Sequence, residues 1–296
     1  MTDANDEALL RHLVVTLSSV PGVEAIALGG SRARGTAVAT SDYDIGLYYR
    51  ANRPIDVAAL GEVAITLDDR GAEASVTPIG GWGPWIDGGG WLVVDGVHVD
   101  LLYRDIDRVA AAIDDAHAGK VERFYQPGHP HAFLPTIYMG EAASAHLLHD
   151  PAGTLAALQG RTAPYPAALA QALRERFEWE AEFSLANARK SLDRGDVSYL
   201  AGCAFRAVAC LCQTLFALNG VYLLNEKGAV AAVDGFMRRP PDFAHRIAAV
   251  FADLGSGEHA LGLDRLEALV GETKSLSSAA GLSKHSNATG CRDRCK

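Results

Sequence analysis

Three aspartates and a glycine turn are the residues of this chain whose types and spacing suggest chemistry. The chain reads Gly29-Gly30-Ser31-Arg32-Ala33-Arg34-Gly35, and ten residues separate Ser31 from Asp42 in the run Ser41-Asp42-Tyr43-Asp44-Ile45-Gly46-Leu47. Side chains alternate along a strand, so Asp42 and Asp44 project from one face while Tyr43 and Ile45 point to the other. Two carboxylates on one face suit a hard divalent cation such as Mg²⁺, which prefers oxygen ligands and also takes substrate phosphates. Gly29-Gly30 lets the backbone turn sharply and approach a ligand closely. Backbone N–H groups of a helix opening near Ser31 would favour anions. Arg32 and Arg34 add positive charge there, and Arg34 joins Gly30 and Ser31 as a candidate phosphate-binding residue. A third carboxylate follows in Val97-His98-Val99-Asp100-Leu101-Leu102-Tyr103, the second arm of a predicted β-hairpin whose turn is Asp95-Gly96. An aspartate in mid-strand is costly unless it has work to do. An adjacent strand would bring Asp100 beside Asp42 and Asp44, with Asp95 or Asp105 as substitutes in a different register. Together these residues predict metal-assisted transfer of a phosphate-containing group.

The elements that must position them are short. Val23 to Leu28 reads as a strand, residues 7–20 and Val57 to Leu67 as helices, and Asp105 to Ala118 as another. The glycine-rich stretch 78–90 reads as a connection, whose Trp82 and Trp85 belong to the core or, alternatively, stack on a base. His98 shares a strand face with Asp100, as a site residue or a structural one. Punctuation at His149-Asp150-Pro151 predicts a first domain over residues 1–150. Beyond it the pattern is helical. Leu173, Phe177, Ala181, Leu185, Ala188 and Leu192 form a stripe, and residues 197–219 form a core helix of a second domain over 151–273. Glu175, Glu178 and Glu182 share another face, either solvated or lining an acceptor cleft with one of them as base. Residues 274–296 lack periodicity and predict a disordered tail.

These residues resemble the DNA polymerase β-like nucleotidyltransferase superfamily. The wording Ser-Arg-Ala-Arg-Gly and Ser-Asp-Tyr-Asp is similar to small bacterial nucleotidyltransferases and to antibiotic (aminoglycoside-type) adenylyltransferases. The resemblance implies an α+β protein, with an N-terminal mixed sheet flanked by helices followed by an all-α helical bundle. It implies two Mg²⁺ ions and transfer of a nucleoside monophosphate from ATP or another nucleoside triphosphate. Asp42 and Asp44 would bind both ions, Asp100 the catalytic one while helping to deprotonate the acceptor, and Gly30 and Ser31 the triphosphate. Lys227, in a polar turn before an alanine-rich helix, would be the second domain's contact to that triphosphate, with Lys190 and Arg194 as weaker candidates.

Composition bounds the acceptor. The net charge is −9; residues 274–296 carry +4, which leaves −13 on the preceding 273. A body that acidic is a poor non-specific binder of nucleic acid and suits a cationic small molecule. The expected acceptor is a hydroxyl of an aminoglycoside-like antibiotic; no membrane partner is expected, and the acidic balance disfavours nucleic acid. A protein or tRNA acceptor of toxin–antitoxin type is the alternative, and a metal-dependent glycosyltransferase a further one that leaves Gly30, Ser31 and Asp100 unexplained. The start Met1 to Glu7 is polar and acidic, unlike a secretory leader, and the chain is expected in the cytoplasm. Cys203, Cys210 and Cys212 lie in an apolar helix as small core residues, and Cys291 and Cys295 follow in the tail.

Overall fold

A computed structural model describes residues 4–289, with side chains described through residue 280. The chain forms two units: residues 1–116 with 122–164, and residues 117–121 with 165–296.

The first unit is built on a five-stranded mixed sheet. In chain order it comprises α1 (Ala4–Leu17), β1 (Ala25–Leu28), α2 (Gly30–Ala33), β2 (Tyr43–Tyr49), α3 (Val57–Leu67), β3 (Gly89–Val94), β4 (Val97–Asp105), α4 (Ile106–His117), α5 (Thr136–Ser144), β5 (His146–His149) and α6 (Thr154–Gly160). The strand order is β3-β4-β2-β1-β5, with β2 and β4 parallel and the other neighbours antiparallel. The β3–β4 hairpin turns on Asp95 (φ 51°) and Gly96 (φ 76°), the left-handed pair that a two-residue hairpin turn requires. One sheet face is the core: Ile26, Ile45, Leu47, Leu92, Val99 and Leu101 pack with Leu13 and Leu17 of α1 and Leu60, Ala64 and Leu67 of α3. Alternation then sends Asp44, Tyr48, Asp100 and Arg104 to the opposite face. Arg104 is buried there by a bidentate pair with Glu141 of α5 (2.7 and 2.8 Å).

The second unit is helical: α7 (Ala167–Lys190), α8 (Val197–Asn219), α9 (Ala229–Val233), α10 (Phe243–Ser256) and α11 (His259–Thr289). The α7 stripe is buried as the periodicity predicts, through Leu173, Phe177, Ala181, Leu185 and Ala188. α8 is long and apolar enough to cross a membrane, but 72% of its most apolar window is buried among the other helices. Cys210 and Cys212 lie buried on it and Cys203 is half-buried, while Cys291 and Cys295 lie outside the described residues.

Two boundaries differ from the sequence reading. The first unit continues to Pro164, so α6 belongs to it rather than to the helical bundle. Residues 274–289, expected as a disordered tail, continue α11. The stripe Leu263, Leu266, Leu269, Val270 extends through buried Thr273 and Ser277, and Arg174 donates to the Ser277 hydroxyl (2.7 Å) and carbonyl (2.5 Å). Small polar residues occupy the buried positions, so hydrophobic periodicity fades while the helix does not. Residues 290–296 of that expected tail lie outside the described residues.

Candidate active site

The register of the sheet assembles the carboxylates. Asp44 on β2 pairs directly with Asp100 on β4, at a strand separation of about 4.8 Å, and both side chains share a face. Asp95 stands in the hairpin turn, and Asp105, at the far end of β4, accepts from the Asp107 backbone N–H (2.9 Å) at the start of α4. Asp42 precedes the strand by one residue, close enough to raise the pKa of both other aspartates. Burial pushes the Asp100 carboxyl up to about 6, reinforced by the charges of Asp44 and Asp42 and opposed by His98. Burial, Asp42 and Glu141 raise Asp44, and Arg34 and Arg104 oppose the shift.

The glycine turn lies against this pair. The Gly29 N–H donates to the Asp44 carbonyl (2.8 Å), extending the β1–β2 ladder into the turn. Gly30 has φ +60°, and a Cβ there would lie 1.6 Å from Asp44 Oδ2. Only glycine permits both the left-handed backbone and that approach. The helix expected at Ser31 is a single turn, Gly30–Ala33.

The two arginines have separate tasks. Arg32 donates to the Ser41 carbonyl through Nε (3.1 Å) and Nη2 (2.7 Å), stacks 3.7 Å over the Tyr43 ring and approaches Asp6 (3.8 Å). Tyr43 also donates its hydroxyl to Asp6. Arg32 thus closes the loop between the turn and β2 and fixes where Asp42 and Asp44 begin. Arg34 is exposed and acts on Asp44 electrostatically. The buried Arg104 is committed to Glu141, which limits how far it offsets the aspartates.

Lys227 belongs to the second unit, exposed on a turn where its N–H donates to Asn225 Oδ1 (2.8 Å) ahead of α9. Of the three glutamates on α7, Glu178 accepts from Ser277, Glu182 pairs with Lys274 (2.5 Å) and Glu175 accepts from Gln171 (2.8 Å). Two of these contacts tie α7 to α11. The buried acid of that helix is Glu180, held by Arg206 (2.7 Å).

Trp85 packs with Phe124 and Phe133 at 4.3 and 5.6 Å between ring centroids, in keeping with a core role. Trp82 instead stacks on Trp91 at 4.5 Å. Sequence reasoning overlooked Trp91, Arg104 and Glu141. For Trp91 a signal existed. A two-residue turn at Asp95-Gly96 dictates the pairing Val94↔Val97, hence Trp91↔Asp100, and that is the observed register. A cavity of about 350 Å³ lies at the other end of β2 and β4, lined by Tyr49, Asp87, Asp105 and Arg108, and does not include the aspartates of the glycine-turn site.

The donor set suits a hard divalent cation. Asp44 and Asp100 offer oxygens from adjacent strands and Asp42 stands beside them; burial together with the neighbouring carboxylates raises the pKa of Asp44 and Asp100, which a bound cation would oppose.

Residues 10–117 match the nucleotidyltransferase domain family, and residues 133–227 match a family described as a domain of unknown function, DUF4037. No curated protein matches the chain. Among solved structures, a nucleotidyltransferase-like protein from Exiguobacterium sibiricum 255-15 is similar at 10% identity and a TM-score of 0.43, over 97% of this chain and 81% of that one. Four of the five strands, β1 to β4, fall within residues 10–117, and that region of the chain is a nucleotidyltransferase domain.

Proposed function

We propose that the chain transfers a nucleoside monophosphate, AMP from ATP, to a hydroxyl of a small molecule, with an aminoglycoside-like antibiotic as the acceptor class. The observation that carries this reading is the pairing of Asp44 with Asp100 while Gly30 lies against the Asp44 carboxylate. It puts a close-approach backbone turn and a carboxylate centre side by side, as transfer from a triphosphate requires.

Asp42, Asp44 and Asp100 would hold two Mg²⁺ ions. Bound there, Mg²⁺ supplies charge neutralisation for the phosphate oxygens. Gly30 and Ser31 hold the triphosphate by close backbone approach, and Arg34 adds positive charge at the same turn. The acceptor oxygen attacks the α-phosphorus in line, a new P–O bond forms, and the bond to pyrophosphate breaks. Asp100, paired with Asp44 across the strands, is the residue proposed to take the hydroxyl proton. Lys227 is proposed as a further nucleotide contact on the sequence resemblance alone. Use of a nucleoside triphosphate supports a cytoplasmic location, and the −13 charge of residues 1–273 supports a cationic acceptor over a nucleic acid.

The test is incubation with Mg²⁺, α-labelled ATP, GTP, CTP or UTP, and a panel of aminoglycosides and lincosamides. Label should move from ATP to one acceptor, and Asp42→Asn or Asp44→Asn should abolish the transfer. Normal nucleotide binding without transfer to any antibiotic would remove that acceptor class.

A further inference from the structure

Trp91 is 60% exposed although it sits in a strand, directly opposite Asp100 and on the same side of the sheet. A row therefore crosses four strands on that face: the Gly29-Gly30 turn after β1, Asp44 on β2, Asp100 on β4 and Trp91 on β3.

One ring backs the indole, and hydrogen bonds anchor both that ring's segment and the β3 backbone. Trp82 stacks on it at 4.5 Å with 22° between the planes. Trp82 can lie there because position 89 is glycine: a Cβ on Gly89 would come within 3.0 Å of the Trp82 ring. The Trp82 carbonyl accepts from the buried Gln126 amide (2.8 Å), whose oxygen accepts from the Trp85 and Ile86 N–H groups (3.2 and 3.3 Å). On the outer edge of β3, Arg70 donates to the Trp91 carbonyl (2.7 Å) and the Val93 N–H donates to Asp68 (3.1 Å). An exposed Trp91 braced in this way on half-buried Trp82 costs solvation, and its open surface is available for a ligand.

We propose that Trp91, backed by Trp82, is the platform on which the acceptor lies, and that it selects an acceptor with a cationic, hydroxyl-bearing ring such as an amino sugar. The inference rests on the nucleotidyl-transfer reading, because the direction of attack assigns the occupant. In-line displacement puts the incoming oxygen on the side of the α-phosphorus opposite the leaving pyrophosphate. With the triphosphate at Gly30 and Ser31, that direction runs past Asp44 and Asp100 toward β3. The sugar and base of the donor leave the α-phosphorus at roughly the tetrahedral angle from the pyrophosphate, not along this line. An indole face takes the C–H face of a ring and attracts a cation, and the neighbouring carboxylates add to that attraction. A ring lying on Trp91 would present its hydroxyl toward Asp100, its cross-strand neighbour.

The experiment is ligand-observed saturation-transfer NMR on the full chain with Mg²⁺ and α,β-methylene-ATP. The ring probes are kanamycin A, spectinomycin, lincomycin and methyl glucoside. At least one amino-sugar probe should bind, about tenfold more weakly to Trp91→Ala and within about threefold of wild type to Trp91→Phe, as expected for one lost stacking contact. Affinity for the ATP analogue should stay within about twofold in both variants, since the triphosphate end is untouched. Probe binding indifferent to Trp91→Ala would overturn the proposal, as would a wild type that binds the analogue but no ring probe. A loss of about tenfold in analogue affinity on Trp91→Ala would assign the platform to the donor base instead. A wild type that fails to bind the analogue would sink the nucleotidyl-transfer reading itself, and the acceptor platform with it.

Discussion

Two aspartate sites in the first unit, one at the edge of the sheet and one near its centre, show what separates a structural carboxylate from a functional one. Asp68 is fully enclosed and fully satisfied. It accepts from the Arg70 N–H (2.7 Å), Nε (2.8 Å) and Nη2 (2.6 Å), and from the Val93 N–H (3.1 Å). The Arg70 hydrogen bonds hold its carboxyl down at about 2. Asp44 and Asp100 sit on the same sheet, more open to solvent, yet shift the opposite way. Burial pushes all three carboxyls up, and the partners decide whether that rise survives. Asp68 has its guanidinium, whereas Asp44 and Asp100 face each other and Asp42, with Arg104 engaged by Glu141. A fold that keeps carboxylates under-compensated stores an affinity for a cation.

The comparison makes predictions of decreasing size. Asp44→Asn should cut transfer by about 10³-fold, because the lost charge is one the reaction needs, whereas Asp68→Asn should leave per-molecule activity unchanged in the same single-turnover assay. Gly30→Ala should cost about 100-fold, since an atom 1.6 Å from Asp44 Oδ2 must displace either the turn or the carboxylate. That loss should appear with little change in far-UV circular dichroism. Asp68→Ala should destabilise the first unit by about 1–2 kcal/mol, as it removes the acceptor of the Val93 N–H and the anchor of Arg70. Denaturant melts monitored at the tryptophans would read it. The contribution of Asp68 is fully present above about pH 4 and is lost as pH falls through about 2, because its folded pKa lies below the ordinary value.

Asp100→Asn gives the smallest effect and the opposite sign. Its folded pKa, about 6, lies above the ordinary 3.8, so folding favours the protonated form and stability falls as pH rises between those values. Without divalent metal at pH 7.5 the variant should be more stable than wild type, by about 1 kcal/mol after solvent screening. The gain should vanish near pH 4. A variant that is less stable than wild type at pH 7.5 would mean the carboxylate is compensated after all.

Much of the site was legible because it is local. The Gly-Gly turn, the Asp-x-Asp alternation and the Asp95-Gly96 hairpin each follow from backbone preferences over a few residues, and the strands they predict are observed. The α3 helix, Val57–Leu67, was likewise readable end to end. What the sequence concealed is non-local. That Arg104 answers Glu141 across 37 positions, or that Trp82 reaches Trp91 over Gly89, depends on chain crossings that no periodicity announces. The continuation of α11 was hidden differently. Its buried positions at Thr273 and Ser277 are polar, Ser277 being held by Arg174, so the apolar stripe ends before the helix does.

The central claim is that Asp44 and Asp100 form a cation site, and Mn²⁺ binding followed by electron paramagnetic resonance tests it most directly. Titrations at pH 7.5 would compare wild type with Asp44→Asn, Asp100→Asn and Asp68→Asn. The account predicts binding by wild type and Asp68→Asn, and at least about tenfold weaker binding by the other two, since each loses a charged oxygen ligand. Wild-type affinity that survives both Asp44→Asn and Asp100→Asn would contradict it.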